Sequence, residues 1–508
     1  MSVEQIVRKF KDSGYLISPE AIKLIMGSTD VDNVIEVVLK YLDSISPKPV
    51  VVNVSHISNA LTLSGSKDKK MIIRELKTWH VDFEIKFTFT GYKVDRSMKL
   101  IDGYSRLLID RYQKLKRILL ERPDMRYAVP LKDIKKSVKR FFENESSQQR
   151  KTATYGLVLS VTRNSKKVEI VLEDITIEDK ESGTVNRIIA EVPSSSQAFK
   201  KAAWIAENEV IGLVGVLNND KFEVDDILLP GITLKPIRRP NDDFYVAFLS
   251  DLHVGSLKFV ENRFKTFINT VQGNTDDPKL RNIIKKLRFI IIAGDLVDGF
   301  GVYKDQEKEL LTMNVDEQYK MLAELLSGIP EDITIFLIPG EHDVSGLYAP
   351  SPPIPREFAQ KLYSMKNVRM LGDPSFIRIA GVDILVSHGR GLDDAVELYT
   401  LKGFTSEGII DAMESLLLRR NLIIPINSKV IVAPYPHDFN VITVMPDIMH
   451  MGHVHIAAAA KLYKNILLIN SGSWQEQSIK QKMKGLNPSV GTCYFVNLKD
   501  MTLLKAVF

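Results

Sequence analysis

The chain has 508 residues, of which 44% are hydrophobic and 26% charged, with a formal net charge of +5 and a single cysteine, Cys493. This length is well beyond the roughly 250–300 residues at which one hydrophobic core stops growing, so two or more domains are predicted. The composition excludes a disordered or fibrous protein, and the single cysteine excludes intrachain disulfides and thiolate metal clusters, which leaves histidine and carboxylate as metal ligands.

The N-terminal part predicts helices. Apolar residues recur at helical spacing within residues 1–45, which predicts a small helical domain of about three helices. Residues 46–149 have weaker patterns, with a linker opened by SISPKP and two short β-like runs, Val50–Val54 and Phe83–Thr90. The chain has no run of roughly 18 uncharged apolar residues and no signal peptide core, so we expect a cytoplasmic protein without a membrane partner.

A basic stretch lies inside this second region. Residues 111–142 contain eleven lysines and arginines and three acidic residues, a net charge of +8. Such clusters are typical of surfaces that bind phosphate backbones or an acidic partner, and a solvated helix face is the alternative.

Residues 150–238 change to a period of two. Five short alternating segments follow Thr152, with a helix-like insertion near Ser194–Ala206. This spacing predicts a five-stranded barrel of the oligonucleotide-binding (OB) type, with another small all-β fold as the alternative. The sequence PIRRPNDD at 236–243 marks the boundary that follows.

Residues 239–508 have a third pattern. Continuous apolar runs end in Gly, Asp or His and alternate with helical stretches, as in YVAFLSD, FIIIAGD, ITIFLIPG, DILVSHG and NILLINSG. Such runs are typical of strands buried on both faces, so this region predicts an α/β sandwich with its functional residues at the carboxyl ends of the strands. The predicted fold class is therefore multi-domain α+β.

The strand ends carry residues that bind metals. These are Asp251 and His253 in SDLHVG, Asp295 and Asp298 in AGDLVDG, Glu341, His342 and Asp343 in PGEHD, His388 and Arg390 in SHGR, and His450, His453 and His455 in MHMGHVH. Each motif alone is more often a surface turn, whereas the ordered set predicts a metal site that compensates the buried charges. Mixed nitrogen and oxygen ligands favour manganese, iron or zinc over magnesium.

This ordered set resembles the calcineurin-like metallophosphoesterases. The resemblance implies two divalent metal ions, most readily Mn²⁺, with Mg²⁺, Fe or Zn as alternatives, and a metal-activated hydroxide that attacks phosphorus. It implies one metal held by Asp251, His253 and His455, a second held by Glu341, His388 and His453, and Asp295 between them. It further implies His342 as a proton donor outside the metals, Asp298 and Asp343 as residues that orient histidines, and Arg390 as a phosphate clamp or an exposed residue.

The surrounding sequence resembles a narrower family, the small subunits of archaeal D-family DNA polymerases. The likeness rests on HGRGLDD, MESLLLRRN, PDIMHMGHVH and NSGSWQEQ, and on the order of helical unit, barrel and phosphoesterase. It spans residues 100–508 and is strongest over 244–482. It implies a 3′–5′ DNA exonuclease that proofreads for a large catalytic subunit in a heterodimer, with DNA and the sliding clamp as further partners and a location at the nucleoid.

Glu341 departs from the family pattern, which usually has asparagine at this position. Glutamate still offers oxygen to a hard cation but adds a charge and a methylene group. This departure keeps open an inert phosphoesterase that acts as a polymerase scaffold. A free-standing phosphatase or cyclic-nucleotide diesterase is a further alternative, although the barrel and the basic stretch would be unnecessary for it.

Overall fold

A computed structural model describes residues 2–26, 31–45, 48–53, 56–57, 60, 81–92, 99–134, 151–175, 186–218, 221–463, 465–483 and 485–508. It contains two compact units, Met1–Asp82 and Phe83–Phe508. The basic residues Lys135, Lys136, Lys139 and Arg140 lie outside the described residues. None of the helices in the described ranges is long and apolar enough to cross a membrane.

The first unit contains helices where the apolar periodicity predicts them. Its elements are α1 (Val3–Asp12), β1 (Leu16–Ile17), α2 (Pro19–Met26), α3 (Val31–Ser44) and β2 (Val51–Val52). A capping box begins α1, because Ser2 accepts from the Gln5 amide while the Gln5 side chain accepts from the Ser2 amide. Ile6, Phe10 and Val38 are fully buried in the core of this unit.

The second unit begins with an edge strand and a long helix, β3 (Phe83–Thr88) and α4 (Leu100–Leu120). Arg111 of α4 is fully buried and its Nε lies 2.6 Å from Asp438 Oδ2, which is also fully buried. The remaining guanidinium protons go to backbone carbonyls, including Ile423 O at 2.8 Å. The prediction of a basic surface is therefore wrong for Arg111, because its charge is neutralised inside the unit.

A closed barrel follows. Its elements are β4 (Thr152–Arg163), β5 (Lys167–Asp174), β6 (Asn186–Pro193), the single-turn helix α5 (Phe199–Ala202), β7 (Val210–Asn218) and β8 (Lys221–Leu228). The strand order is β4-β5-β6-β8-β7, and the inward side chains of Ile170, Leu213 and Phe222 are fully buried. The predicted five-stranded barrel is confirmed, and its assignment to the OB type stays a prediction.

The rest of the chain forms helices and two six-stranded sheets. The elements are β9 (Tyr245–Leu249), α6 (Glu261–Val271), α7 (Pro278–Lys285), β10 (Leu287–Ala293), α8 (Val315–Leu326), β11 (Thr334–Ile338), α9 (Gln360–Ser364), β12 (Val368–Met370), β13 (Ser375–Ile379), β14 (Val382–Val386), α10 (Leu392–Tyr399), α11 (Ser406–Arg419), β15 (Ile448–Met451), β16 (Ala457–Leu462), β17 (Ile466–Ser471), α12 (Ile479–Met483), β18 (Thr492–Asn497) and β19 (Leu503–Val507). All five of the predicted apolar runs form strands, namely β9, β10, β11, β14 and β17.

The two sheets pack against each other through their central strands. The first has the order β12-β11-β10-β9-β18-β19 and the second β16-β17-β15-β14-β13-β3. Phe248 of β9 contacts His450 of β15 edge to face, with ring centroids 4.9 Å apart. Helices α6 and α8 pack on the first sheet and α10 and α11 on the second. The mixed α/β character predicted from the apolar runs is confirmed, and the neighbouring parallel strands β9, β10 and β11 all end at one edge.

Candidate metal centre

The predicted metal ligands meet where the strands end. Asp251 and His253 follow β9, Asp295 follows β10, Glu341 and His342 follow β11, His388 follows β14, and His453 and His455 follow β15. Because parallel strands expose their carboxyl ends at the same edge, residues from distant parts of the chain come together there.

One group of ligand atoms comes from Asp251, His253 and His455. All three side chains are buried, and their donor atoms lie within 4.8 Å of one another. His455 Nε2 is 3.1 Å from His253 Nε2 and 3.3 Å from Asp251 Oδ1. These distances place two imidazole nitrogens and a carboxylate oxygen around a common point, as a metal with mixed ligands requires.

A second group comes from Glu341, His388 and His453, again with donor atoms within 4.8 Å of one another. Glu341 Oε2 lies 2.7 Å from His388 Nε2, and Glu341 Oε1 lies 2.8 Å from His453 Nδ1. Asp295 connects the two groups, since its Oδ2 is 3.4 Å from His388 Nε2 and 3.6 Å from His253 Nε2. The structure thus brings together all seven side chains predicted as ligands.

The backbone turns sharply at the predicted ligands. Asp251, His253, Asp295, His453 and His455 have φ angles of 53°, 53°, 49°, 69° and 59°. Left-handed backbone at non-glycine residues costs on the order of 1–3 kcal/mol each, and such strain concentrates at functional sites. These turns follow directly after β9, β10 and β15, where the chain leaves the sheet.

Two glycines leave room for the carboxylates. A β-carbon at position 340 would lie 2.1 Å from Asp295 Oδ1, and one at position 452 would lie 2.3 Å from Asp251 Oδ2. The close approach lets backbone amides hold both carboxylates, because the amides of His342 and His453 donate to Asp295 and Asp251. A larger residue at either glycine would push a predicted ligand out of place.

Two histidines are oriented through their Nδ1 atoms. His388 donates from Nδ1 to the carbonyl of Ala293 at 2.8 Å, and His253 Nδ1 lies 2.8 Å from Asp298 Oδ1. Gln475 also donates to Asp298 Oδ1, at 2.9 Å. Because a histidine ligand is fixed by the partner of its other nitrogen, the Nε2 atoms of His253 and His388 are left to face the centre.

The electrostatics of the second group also fit a cation. Burial alone would lower the pKa of His453, but the carboxylates of Glu341 and Asp393 outweigh it and raise that pKa to about 10. Burial would raise the pKa of Glu341, but His453 and His388 hold it well below its usual range. Within the described residues, Glu341 Oε2, His388 Nε2 and His453 Nδ1 are buried at ion-pair distances from one another but without hydrogen-bond geometry. Buried ligand atoms that converge on one point in this way fit a bound metal ion.

Comparison with known proteins supports a specific family. The model of a family described as the B subunits of DNA polymerases alpha and epsilon matches residues 246–459. The DNA polymerase II small subunit of Methanothermobacter thermautotrophicus is 34% identical over 395 residues, which are 78% of this chain and 77% of the relative. Its counterpart in Thermoplasma acidophilum is 31% identical over 518 residues, 99% of this chain and 92% of the relative. The chain belongs to the archaeal DNA polymerase II small subunits.

The DNA polymerase II small subunit of Pyrococcus horikoshii is 31% identical over 439 residues, which are 84% of this chain and 67% of the relative. These matches confirm the resemblance to the archaeal polymerase small subunits. They extend it to the N-terminal unit, where the sequence motifs gave little indication, because the Thermoplasma match covers nearly the whole chain.

In this member of the family, His342 and Asp343 lie beside the ligands. His342 donates from Nδ1 to the carbonyl of Asp298 at 2.8 Å, and its ring contacts that of His253 with centroids 4.7 Å apart. Asp343 accepts hydrogen bonds from the amides of Leu296 and Gly340. Burial, and to a smaller extent the negative charge of Asp295, raises the pKa of Asp343 to about 6. Asp343 therefore ties the loop after β11 to the loop after β10. The prediction that it orients a histidine is wrong, because its carboxylate accepts from these amides and from the Tyr319 hydroxyl.

Arg390 and His450 are both buried, so the expectation of an exposed Arg390 is wrong. The Arg390 guanidinium donates to Gly346 O at 2.5 Å and Ser351 Oγ at 2.6 Å, which ties it to the loop after Glu341. His450 Nε2 lies 2.9 Å from Ser471 Oγ between the sheets, and burial lowers its pKa to about 3. Neither side chain belongs to a ligand group within the described residues.

The structure adds three residues that sequence reasoning missed. Gln481 Nε2 lies 2.6 Å from His455 Nδ1, Asp393 Oδ2 lies 3.5 Å from His453 Nε2, and Gln475 contacts Asp298. Asp393 and Gln475 stand in HGRGLDD and NSGSWQEQ, motifs already noted for their likeness to the family, so position in those motifs was an available signal. Gln481 carries no such signal, because a glutamine on a short helix is common in any protein.

Proposed function

We propose that this chain is the small subunit of a heterodimeric archaeal DNA polymerase and acts as a metal-dependent 3′–5′ DNA exonuclease, which removes mismatched nucleotides for a large catalytic subunit. The observation that carries the proposal is the convergence of seven metal-ligating side chains on one centre. Family membership supplies the partner, because relatives named small subunits of DNA polymerase II imply a larger subunit.

The proposed metal content is two divalent ions, Mn²⁺ before Mg²⁺, Fe or Zn. Asp251, His253 and His455 would hold one ion, and Glu341, His388 and His453 the other. Asp295 lies within reach of both groups and would serve both. Bound in this way, a pair of divalent cations supplies positive charge for phosphate oxygens and makes a water molecule more acidic.

The proposed reaction is hydrolysis of the terminal phosphodiester. The oxygen of water forms a bond to phosphorus, the bond between phosphorus and the 3′ oxygen breaks, and that oxygen takes up a proton. The products are a shortened strand with a 3′ hydroxyl and a nucleoside 5′-monophosphate. His342 is the proposed donor: its Nδ1 is used by the carbonyl of Asp298, which leaves Nε2 as the ring nitrogen that can act on the substrate.

The second candidate is a scaffold subunit with an inert or weak phosphoesterase. Glu341 favours it, since a third carboxylate among the ligands reduces the positive field available to phosphate. The retained ligand set favours the exonuclease. A free-standing phosphatase gains no support from family membership.

The deciding experiment uses the purified chain, alone and with its large subunit, and 5′-end-labelled single-stranded DNA. With Mn²⁺ we expect a ladder shortened from the 3′ end, abolished by chelator and absent from an Asp295→Ala preparation purified in parallel. The parallel variant excludes a contaminating nuclease. If the protein binds two metal ions but leaves the DNA intact, the result would instead support the scaffold subunit.

A further inference from the structure

The metal centre opens into a cavity whose walls include two aromatic residues. Tyr303 and Phe404 line it together with the predicted ligands His253, Asp295 and Glu341. The enclosed volume is about 90 Å³, which leaves the bulk of a substrate at the open mouth of the cavity.

Tyr303 forms the wall beside His342. The ring centroids of these two residues are 6.0 Å apart, and the Tyr303 hydroxyl donates to Glu309 Oε2 at 3.0 Å. The loop is further fixed by Gln306, whose side chain accepts from the Val302 amide and donates to the carbonyl of Asp298. The tyrosine ring is thus held in place next to the proposed proton donor.

Phe404 forms another part of the cavity wall. It lies in the turn between α10 and α11, and its ring is partly buried against the core beneath α11. Thr405 caps α11 by accepting from the Gly408 amide, and Ser406 donates to the carbonyl of Ala457. The turn also follows α10, whose Asp393 contacts His453. Phe404 is therefore held by its packing on the core and by the capped start of α11.

Exposed lysines stand next to residues of the cavity wall. Lys304 follows Tyr303 and Lys482 follows Gln481, and both lysines are exposed. The cavity itself contains the carboxylates of Asp295, Glu341 and Asp393, which would repel a phosphate backbone. Because they directly follow cavity residues in the chain, the two lysines would offset that repulsion by releasing counterions when a strand binds.

We propose that Tyr303 and Phe404 hold the terminal nucleobase of a single DNA strand by stacking, while Lys304 and Lys482 contact its backbone. A base that is still paired cannot offer its faces to the two rings, so the walls select unpaired and mismatched ends. This inference rests on the proposed exonuclease function and names the residues that give it specificity. Stacking on one aromatic side chain changes affinity about tenfold, and every base has a face that can stack.

The first test compares DNA with a normal 3′ nucleotide and DNA with an abasic 3′ residue. In the wild type we expect kcat/KM to be about tenfold higher for the normal end. Tyr303→Leu and Phe404→Leu should each reduce the ratio of the two kcat/KM values to below about threefold. Tyr303→Phe should keep the wild-type ratio because it keeps the ring. Leucine variants that keep the full ratio would overturn the inference.

The chain offers matched controls. The Tyr463 hydroxyl donates to Glu414 Oε1 at 2.7 Å, as that of Tyr303 does to Glu309, and Phe358 is a partly exposed phenylalanine. Neither is among the described residues that line the cavity. Tyr463→Leu and Phe358→Leu should therefore leave the ratio unchanged.

A second readout needs no activity. DNA with 2-aminopurine at its 3′ end is bound to the full chain in chelator, and we expect its fluorescence to fall in the wild type and to recover in both leucine variants. If the DNA binds but its fluorescence does not fall, the stacking inference is wrong and the proposed exonuclease function is unaffected. Cleavage without dependence on the terminal base likewise overturns only the inference, whereas stacking without any cleavage overturns the exonuclease and retains the nucleotide site.

Discussion

Glu341 offers the sharpest test of the metal centre, because it contacts two predicted ligands. Its carboxylate oxygens lie 2.7 Å from His388 Nε2 and 2.8 Å from His453 Nδ1. With Asp251 and Asp295 it places three carboxylates against the four positive charges of two divalent ions. The variant Glu341→Asn keeps an oxygen ligand and removes one negative charge. We expect it to bind the second metal more weakly and to turn over faster at saturating metal.

The magnitude follows from the charge that is removed. Two unit charges 4 Å apart interact by about 4 kcal/mol at an effective dielectric constant of 20. The Glu341 side chain is 27% exposed, so solvent screens part of this interaction. We therefore expect a loss of about 1.4–3 kcal/mol, which is roughly a tenfold to hundredfold weaker metal affinity. The larger net positive field should raise the maximal rate about threefold or more, because that field stabilises charge developing on phosphate.

The assay is a manganese titration of metal binding and of DNA cleavage for wild type, Glu341→Asn and Glu341→Ala. The alanine variant should lose both affinity and rate, since it offers no ligand atom. Glu331→Asn is the matched control, because it removes the same charge from an exposed position at the opposite end of β11. Equal kinetics for the asparagine and alanine variants, or a lower rate for asparagine at saturating manganese, would refute the charge argument.

Three further predictions follow from the structure. The Asp295→Ala variant should lose bound metal and DNA cleavage while its circular dichroism spectrum stays that of the wild type. Near-normal cleavage by this variant would contradict the proposed place of Asp295 between the two ligand groups. His342→Ala should keep metal content and DNA affinity while kcat falls about a hundredfold, and loss of metal would make it a ligand instead. Arg111→Met should destabilise the fold by about 3–5 kcal/mol in thermal or urea unfolding, because Asp438 is left as an unpaired buried charge. The double variant Arg111→Met/Asp438→Asn should recover most of that loss, and an equally unstable double variant would refute this account.

The sequence by itself determined the strands and the positions of the predicted ligands. The run YVAFL forms β9, and Asp251 and His253 follow it directly. The run FIIIA falls within β10, which is followed by Asp295. Such predictions succeed because a strand buried on both faces must be apolar along its length, and its end is the first place where a charged side chain can be accommodated. The period-two segments after Thr152 predicted the barrel for a related reason, since in a strand such as β5 alternate side chains are buried.

Only the tertiary structure decided which atoms face each other. The residue pairs Gln481 with His455, Asp393 with His453 and Arg111 with Asp438 each join different parts of the chain, the last pair 327 residues apart. The basic stretch shows the consequence, because composition counts the charge of Arg111 but cannot reveal the carboxylate that neutralises it in the interior. Local patterns report how a segment meets water, whereas the partner of a buried polar group depends on distances that exist only after the sheets and helices have packed.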